Sequence, residues 1–511
     1  MQESYTKNYV KIYLWQGISI LLGFLSLFIV IPKLTSAPAI YGIYSICVSV
    51  TFFLTYADIG FLGAAFKYVS EQFAINDLKE EIRILGFVSF VLFIFVLLFS
   101  MVILVFAFDP HLLIKNLNDA KEIAVASRLL LILSLFSPTV ILQKLCQIVF
   151  GIRLEDYIYQ RLSILVNLAR VCSVFYFFNG SKYDIVGYFL FYQSTGLIAN
   201  IIFLGIIKAK YHYDFGLLAR SFRFSGEIYN RTKRLAFGTF FTTLVCILYY
   251  ELDLFAIGKL SGAEMAALYA VGLTVMGFFR GILGVIYGPF LARFNHFMGQ
   301  NDMASLRRII YSVIVLTLPL VVFPVVSIVV LMRPVILCWV GANYVPSILV
   351  AQFLVMSWVY NFFVQPAGIL VTTQVRVKAM GAIAVIAVII YWGGILATYS
   401  SMGILAFAVF KFIAFTVSAV LYFILMNDFL KYKTVDLIKK VISPAVIPTL
   451  FLVGVLAYAG RFMPADKNKM DLLIVICAGG LASFGALCLY YVFSGYFRDY
   501  VNGLFAKLAK A

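Results

Sequence analysis

ILGFVSFVLFIFVLLFSMVILVFAF, residues 84–108, runs for 25 positions without a charged side chain. As an α-helix rising about 1.5 Å per residue it outreaches the roughly 30 Å hydrocarbon core of a bilayer. Thirteen further apolar runs lie along the chain, at about 12–34, 40–63, 123–148, 158–178, 185–207, 235–258, 265–291, 309–332, 345–372, 379–398, 402–426, 441–460 and 470–493. The expected fold is therefore all-α: a polytopic membrane protein of about 14 transmembrane helices. The first run has no small-residue cleavage site and is too long for a signal segment, so it is expected to stay as a helix.

Composition agrees with that reading. Of 511 residues 63% are apolar and only 12% charged, whereas a soluble domain is about 45–50% apolar and about 25% charged. At about 20 residues per span, fourteen spans consume ~280 residues. What remains suffices for short loops. A large catalytic domain outside the membrane, a disordered chain and a disulfide scaffold are all excluded. The seven cysteines sit inside apolar runs with no C-x-x-C, and His111, His212 and His296 lie far apart in loops. No zinc, P-loop, nucleophile-elbow or dinucleotide motif appears, so no cofactor is expected and the chain does not read as an enzyme.

The net charge of +17 would suggest nucleic acid in a soluble protein. In a membrane protein it reflects basic loops that fix orientation, and no nucleic-acid partner is expected. Counted loop by loop, 27 Lys and Arg fall on one side of the fourteen spans, 10 on the other and three inside spans. That asymmetry places both termini in the cytoplasm. The longest loop, 208–234, carries seven of those cations, interleaved with Leu217, Leu218, Phe222 and Phe224. A helix on an anionic leaflet suits the pattern, and so does a solvated linker.

That loop separates two sets of six spans. A shift of 225 residues superposes Tyr44 on Tyr269, Asn76 on Asn301, Asp77 on Asp302, Arg83 on Arg308 and Ile84 on Ile309. Both segments start on the same side of the membrane, so the halves are expected to be parallel repeats with a substrate site between them. The organisation is an N-lobe at 1–207, a basic cytoplasmic or interfacial linker at 208–234, a C-lobe at 235–427, and a C-terminal helix pair with a short tail at 428–511.

Two stretches carry a resemblance. Pro32-Lys33-Leu34, Tyr41-Gly42-Ile43-Tyr44-Ser45 and Asp58-Ile59-Gly60-Phe61 resemble the opening of the O-antigen and capsule repeat-unit flippases of the polysaccharide transporter family. Glu251-Leu252-Asp253-Leu254-Phe255-Ala256-Ile257-Gly258-Lys259-Leu260, with Gly262, Glu264 and Tyr269, resembles the start of that family's second half. Thr35-Ser36-Ala37 and Ala267 depart from the family's usual turn residues. The resemblance implies a V-shaped, alternating-access carrier in the bacterial inner membrane. It would move a polyprenyl-pyrophosphate-linked oligosaccharide between leaflets for surface polysaccharide synthesis. Related lipid II flippases suggest that the last helix pair cradles the lipid tail. The partners implied are the lipid-linked glycan, membrane lipid, and polysaccharide polymerase and chain-length proteins.

Such a cargo calls for cations facing phosphates or acidic sugars. Arg170, Arg280 and Lys411 lie inside spans, where an unpaired cation costs about 2.5–3.5 kcal/mol on the insertion scale. Each is a candidate substrate-binding residue, and each could instead be half of a structural ion pair. Lys411 is expected close enough to the outer end to nearly reach water. Asp253, Glu251 and Asp58 are candidates for coupling or conformational roles. On a continuous helix Glu251 and Asp253 are ~200° apart and face opposite sides. Asp58 reads equally as the cap of a following interfacial helix at 61–74. Tyr249, Tyr250, Trp358 and Tyr360 could stack on sugars, although interfaces alone enrich such residues. Prolines 289, 319, 324 and 366 permit kinks. The competing class is a MATE-type ion-coupled multidrug exporter, which shares two six-span lobes but favours twelve spans and acidic pockets. A glycan polymerase would need a larger outer loop, and a channel would leave the repeat unexplained.

Overall fold

A computed structural model describes residues 2–56, 60–180, 182–300, 302–373, 377–431 and 438–508. Among the described residues the regular elements are helices, with no strand. The chain begins with α1 (Gln2–Leu34), α2 (Pro38–Tyr56), α3 (Phe61–Ala74) and α4 (Leu78–Phe108). Next come α5 (Ala120–Phe136), α6 (Thr139–Ile152), α7 (Asp156–Phe177), α8 (Ile185–Tyr211) and the short α9 (Phe215–Arg220). After α10 (Gly226–Cys246), α11 (Asp253–Ser261) and α12 (Ala263–Gly299) follow α13 (Met303–Val330) and α14 (Met332–Trp339). Then come α15 (Ser347–Met356), α16 (Asn361–Thr373), α17 (Val377–Met402) and α18 (Leu405–Leu430). The chain closes with α19 (Ser443–Ala459), α20 (Lys469–Phe493) and α21 (Gly495–Leu508).

Among the described residues nine helices are long and apolar enough to cross a membrane, or up to eleven when two bent pairs each count as one span. This is a multi-pass membrane protein. The expected count of fourteen is not confirmed among the described residues, for local reasons. The apolar part of α2 is short, Pro38–Thr51, and residues 57–59 lie outside the described residues. Helix α7 carries Arg161, Asn167 and Arg170, and the run at 235–258 is divided between α10, a π-helical turn at Ile247–Glu251 and α11. The outward faces are apolar as lipid requires: on α4, Leu98, Met101, Val102 and Val105 are exposed at helical spacing.

Two compact units emerge, Met1–Ala267 and Leu268–Ala511. In the first, α1 packs along α7, α4 along α5, and α8 against α5, α6 and α7. Helix α2 lies between α5 and α11. The two stretches that carry the family resemblance meet here. A Cβ on Gly42 would fall 1.8 Å from the carbonyl oxygen of Ala263, so only glycine allows this approach. In the second unit α13 is the core helix: 61% of its apolar window is buried, against 11–39% in the other spans. It packs on α15, α16, α19 and α20, while α17 and α18 form a hairpin.

The 225-residue offset extends to local structure within each unit. Asp77 caps α4 by accepting from the Glu80 amide at 3.0 Å, and Asp302 caps α13 by accepting from the Ser305 amide at 3.0 Å. Tyr44 meets Phe189 of α8 edge-on at 5.9 Å, and Tyr269 meets Phe407 of α18 edge-on at 6.2 Å. One apolar helix in each unit is also broken. The bend between α5 and α6 is 45°, and that between α15 and α16 is 49°. Neither break falls at Pro319, Pro324 or Pro366, which lie inside helices.

The basic segment 208–234 is not one surface helix. Helix α8 runs on to Tyr211, and Asp214 starts α9 by accepting from the amides of Gly216 and Leu217 at 2.8 and 3.1 Å. The interleaved rings then find partners on α4. Phe222 lies 5.6 and 5.5 Å from Phe90 and Phe93, and Phe224 lies 5.9 Å from Phe87.

Candidate functional site: a polar cavity around Arg170

The chain bends by 45° between α5 and α6 at Ser137 and Pro138, and a cavity of about 400 Å³ inside the first unit lies beside this break, bordered by α5, α6, α7 and α8. Its polar lining includes Gln143 on α6, Tyr159, Ser163, Asn167 and Arg170 on α7, and Tyr192, Gln193 and Asn200 on α8, with Thr51, Ser137 and Thr139 beside them. In a chain that is 63% apolar, so many amides and hydroxyls on one cavity need a physical reason. A polar group facing lipid would have no partner, whereas one facing a wet cavity does.

Arg170 is half-buried and held by α8. Its Nε donates to Thr195 Oγ1 at 3.0 Å and one Nη to the Tyr192 carbonyl at 2.9 Å. The other Nη makes a long 3.4 Å contact with Asn167 Oδ1. The guanidinium carbon lies 3.6 Å from the centroid of the Tyr192 ring, a cation–π contact. Gly196 makes room for it, since a Cβ there would come within 3.1 Å of Nη2. Among the described residues no carboxylate lines the cavity and no ion pair includes Arg170. Of five N–H donors, three are engaged within the protein.

The remaining wall is ordered by its own hydrogen bonds. Gln143 and Gln147 each donate to the Tyr159 hydroxyl, at 3.1 and 3.2 Å, and Tyr159 stacks on Phe203 at 4.6 Å. Asn200 donates to the Thr139 carbonyl at 3.2 Å, just beyond the helix break. The result is a preorganised surface of amides, hydroxyls and one aromatic-backed cation.

The other residues singled out in the sequence do not gather here. Arg280 is exposed on α12 in the second unit. Lys411 does not approach water: it is fully buried on α18, with Nζ 5.4 Å from the Tyr391 ring centroid on α17. Asp253 is buried in the first turn of α11, where a helix N-terminus favours a negative charge. Glu251 is half-buried and ends the π-helical turn. Because the helix is broken at Leu252, the two acids sit on different elements and their facing is not set by a 100° step. Asp58 lies outside the described residues, and the N-cap of α3 is Gly60. Tyr249 and Trp358 are buried, Tyr249 against Tyr250 at 5.1 Å and Trp358 against Phe415 at 6.1 Å. The aromatics that border the cavity are Phe136, Tyr159, Tyr192 and Phe203.

A second polar cluster was hidden among loop charges. Glu81 in the first turns of α4 is 1% exposed and takes both oxygens to Nη2 of Arg153, at 2.8 and 3.1 Å. The Tyr213 hydroxyl donates to the same carboxylate, and the Arg153 guanidinium lies 4.6 Å from the Tyr211 ring. Burial and the Glu81 charge push the Tyr213 phenol well above its ordinary range. Beside it Glu155 receives Lys210 at 2.6 Å and the Tyr211 hydroxyl. The cluster ties the ends of α4, α6 and α8 together.

No family model matches the sequence, and no curated protein matches it. Solved structures do resemble the fold. The lipid II flippase MurJ in an inward closed conformation superposes with a TM-score of 0.72 at 15% identity, covering 94% of this chain and 98% of its own. An inward-facing multidrug resistance MATE family transporter of the MOP superfamily gives 0.62 at 10% identity, covering 82% of this chain and 94% of its own. A MOP superfamily transporter from Pyrococcus furiosus, described by a reversed polarity of its binding pocket, gives 0.51 at 12% identity over 84% of this chain and 97% of its own. This chain shares the fold of these solved structures, which are described as a lipid II flippase and as transporters of the MOP superfamily.

Proposed function

We propose that the chain is a flippase for a polyprenyl-pyrophosphate-linked oligosaccharide repeat unit, working by alternating access in the bacterial cytoplasmic membrane with both termini inside. The observation that carries this reading is Arg170: a cation without a carboxylate partner among the described residues, on an amide-lined cavity. A cationic drug would meet like charge there, whereas an anionic glycan finds a counter-charge and hydrogen-bonding groups. The likeness to the lipid II flippase, over 94% of this chain, supports the same class. MATE transporters cover 82–84% of it and share its plan, which keeps ion-coupled drug export as the reading to exclude.

In this proposal the lobes 1–207 and 235–427 alternate, the pair beyond 428 receives the lipid tail, and polymerase and chain-length proteins take the product. Arg280 and Lys411 add positive charge along the route, and Asp253, Glu251 or Asp58 couples the change of state. The test is reconstitution. Proteoliposomes holding the full chain should render a labelled polyprenyl-pyrophosphate oligosaccharide accessible to a membrane-impermeant reagent, and Arg170→Ala and Arg280→Ala should abolish that while still inserting. Transport of a lipophilic cationic dye with no movement of the glycolipid would overturn the reading in favour of drug export.

A further inference from the structure

Resting on the flippase reading, we infer that the Arg170 cavity recognises a carboxylated sugar of the glycan and not its pyrophosphate. A pyrophosphate carries more than one negative charge and needs several cations or helix N-termini converging on it. Among the described residues the cavity offers one guanidinium and no second Lys, Arg or His in its lining. That guanidinium is also largely committed. Its Nε, one N–H of Nη2 and a long contact from Nη1 are used within the protein, and one face is covered by Tyr192. Two N–H donors remain, which matches the single negative charge and two acceptors of a carboxylate.

The rest of the lining fits a sugar ring. Gln143, Gln193, Asn167 and Asn200 present groups that both donate and accept, as ring hydroxyls require, and Ser163 adds a hydroxyl. Tyr159 offers a phenol already oriented by Gln143 and Gln147. The volume, about 400 Å³, lies at the small end of ligand pockets, which span roughly 300–1,000 Å³. It has room for a short terminal portion of a glycan and not for a lipid-linked repeat unit. Selection of an acidic repeat unit by this cavity is thus separable from whatever holds the phosphates.

The full chain in lipid nanodiscs should bind free glucuronate at least about tenfold more tightly than glucose, measured by calorimetry or saturation-transfer NMR. Inorganic pyrophosphate should not displace it. Arg170→Gln should remove the preference for glucuronate over glucose. Gln143→Leu should weaken both sugars while keeping the preference, which guards against a variant that merely misfolds. Tighter binding of pyrophosphate than of glucuronate, absence of glucuronate binding, or a preference that survives Arg170→Gln overturns the inference. Equal flipping of neutral and carboxylated glycolipids overturns it too, and leaves the flippase reading standing. Movement of a cationic dye alone removes that reading as well.

Discussion

Tyr192 holds Arg170 twice: its ring lies 3.6 Å below the guanidinium carbon, and its carbonyl accepts from Nη2 at 2.9 Å. A half-buried cation in an apolar chain is thereby solvated largely by the neighbouring helix, with Thr195 adding a hydrogen bond to Nε, and without a carboxylate among the described residues. The second unit answers with Lys411 of α18 beside Tyr391 of α17, at 5.4 Å. Each unit therefore sets a cation against a tyrosine on the adjacent helix.

Removing the ring while keeping the backbone carbonyl separates the two contacts. Tyr192→Leu should cost about 1–2 kcal/mol, the range of a partly desolvated cation–π contact, read as a lower melting midpoint in detergent. An unchanged midpoint would show the ring to be a bystander.

The Glu81–Arg153 pair makes a sharper prediction because its carboxylate is 1% exposed. Glu81→Ala strands a guanidinium in the interior and should destabilise by about 3–5 kcal/mol. The double change Glu81→Met with Arg153→Leu should recover most of that loss. Failure of the double variant to recover would point to a role for the charges beyond holding the helix ends.

Gly42→Ala should be severe, since the clash is with a backbone oxygen 1.8 Å from the new carbon. Gly258→Ala on the facing helix meets side-chain atoms of Ile46 instead, Cδ1 at 2.6 Å and Cγ1 at 3.2 Å, which can yield more readily than backbone. Overpacking of that milder kind costs about 1–3 kcal/mol. The ranking of the two variants by membrane yield and thermal midpoint checks the interface.

Asp302 titrates below the ordinary carboxylate range because the side chain and amide of Ser305 donate to it. A depressed folded value means that the cap contributes above the unfolded value, about 3.9, and that the contribution is lost as pH falls through the lower folded value. Hydrogen-exchange protection at the Ser305 amide should therefore persist at neutral pH and fall under strong acid. Asp302→Asn should keep the cap and flatten that dependence.

The helices were legible because an uncharged run such as 84–108 has few other places to go. Arg170 was legible as a cation amid apolar neighbours. The cavity around it was not, because Gln143, Asn167, Gln193 and Asn200 are scattered over three helices and hydropathy averages them away. The break at Ser137 and Pro138 that borders the space lies inside a run that reads as one span, 123–148. Glu251 and Asp253 misled for a related reason, since a uniform 100° step ignores the π-helical turn ending between them. Arg153 was counted among loop charges, and only the fold brings Glu81 to it across 72 residues.

The neighbour of Gly42 is peptide oxygen, so no side-chain change elsewhere can make room for a larger residue there. The walls contributed by α6, α7 and α8 border open space instead. Positions such as 143 and 193 are thus open to replacement without a backbone clash while position 42 stays frozen. Scaffold and cavity wall can then diversify on separate clocks.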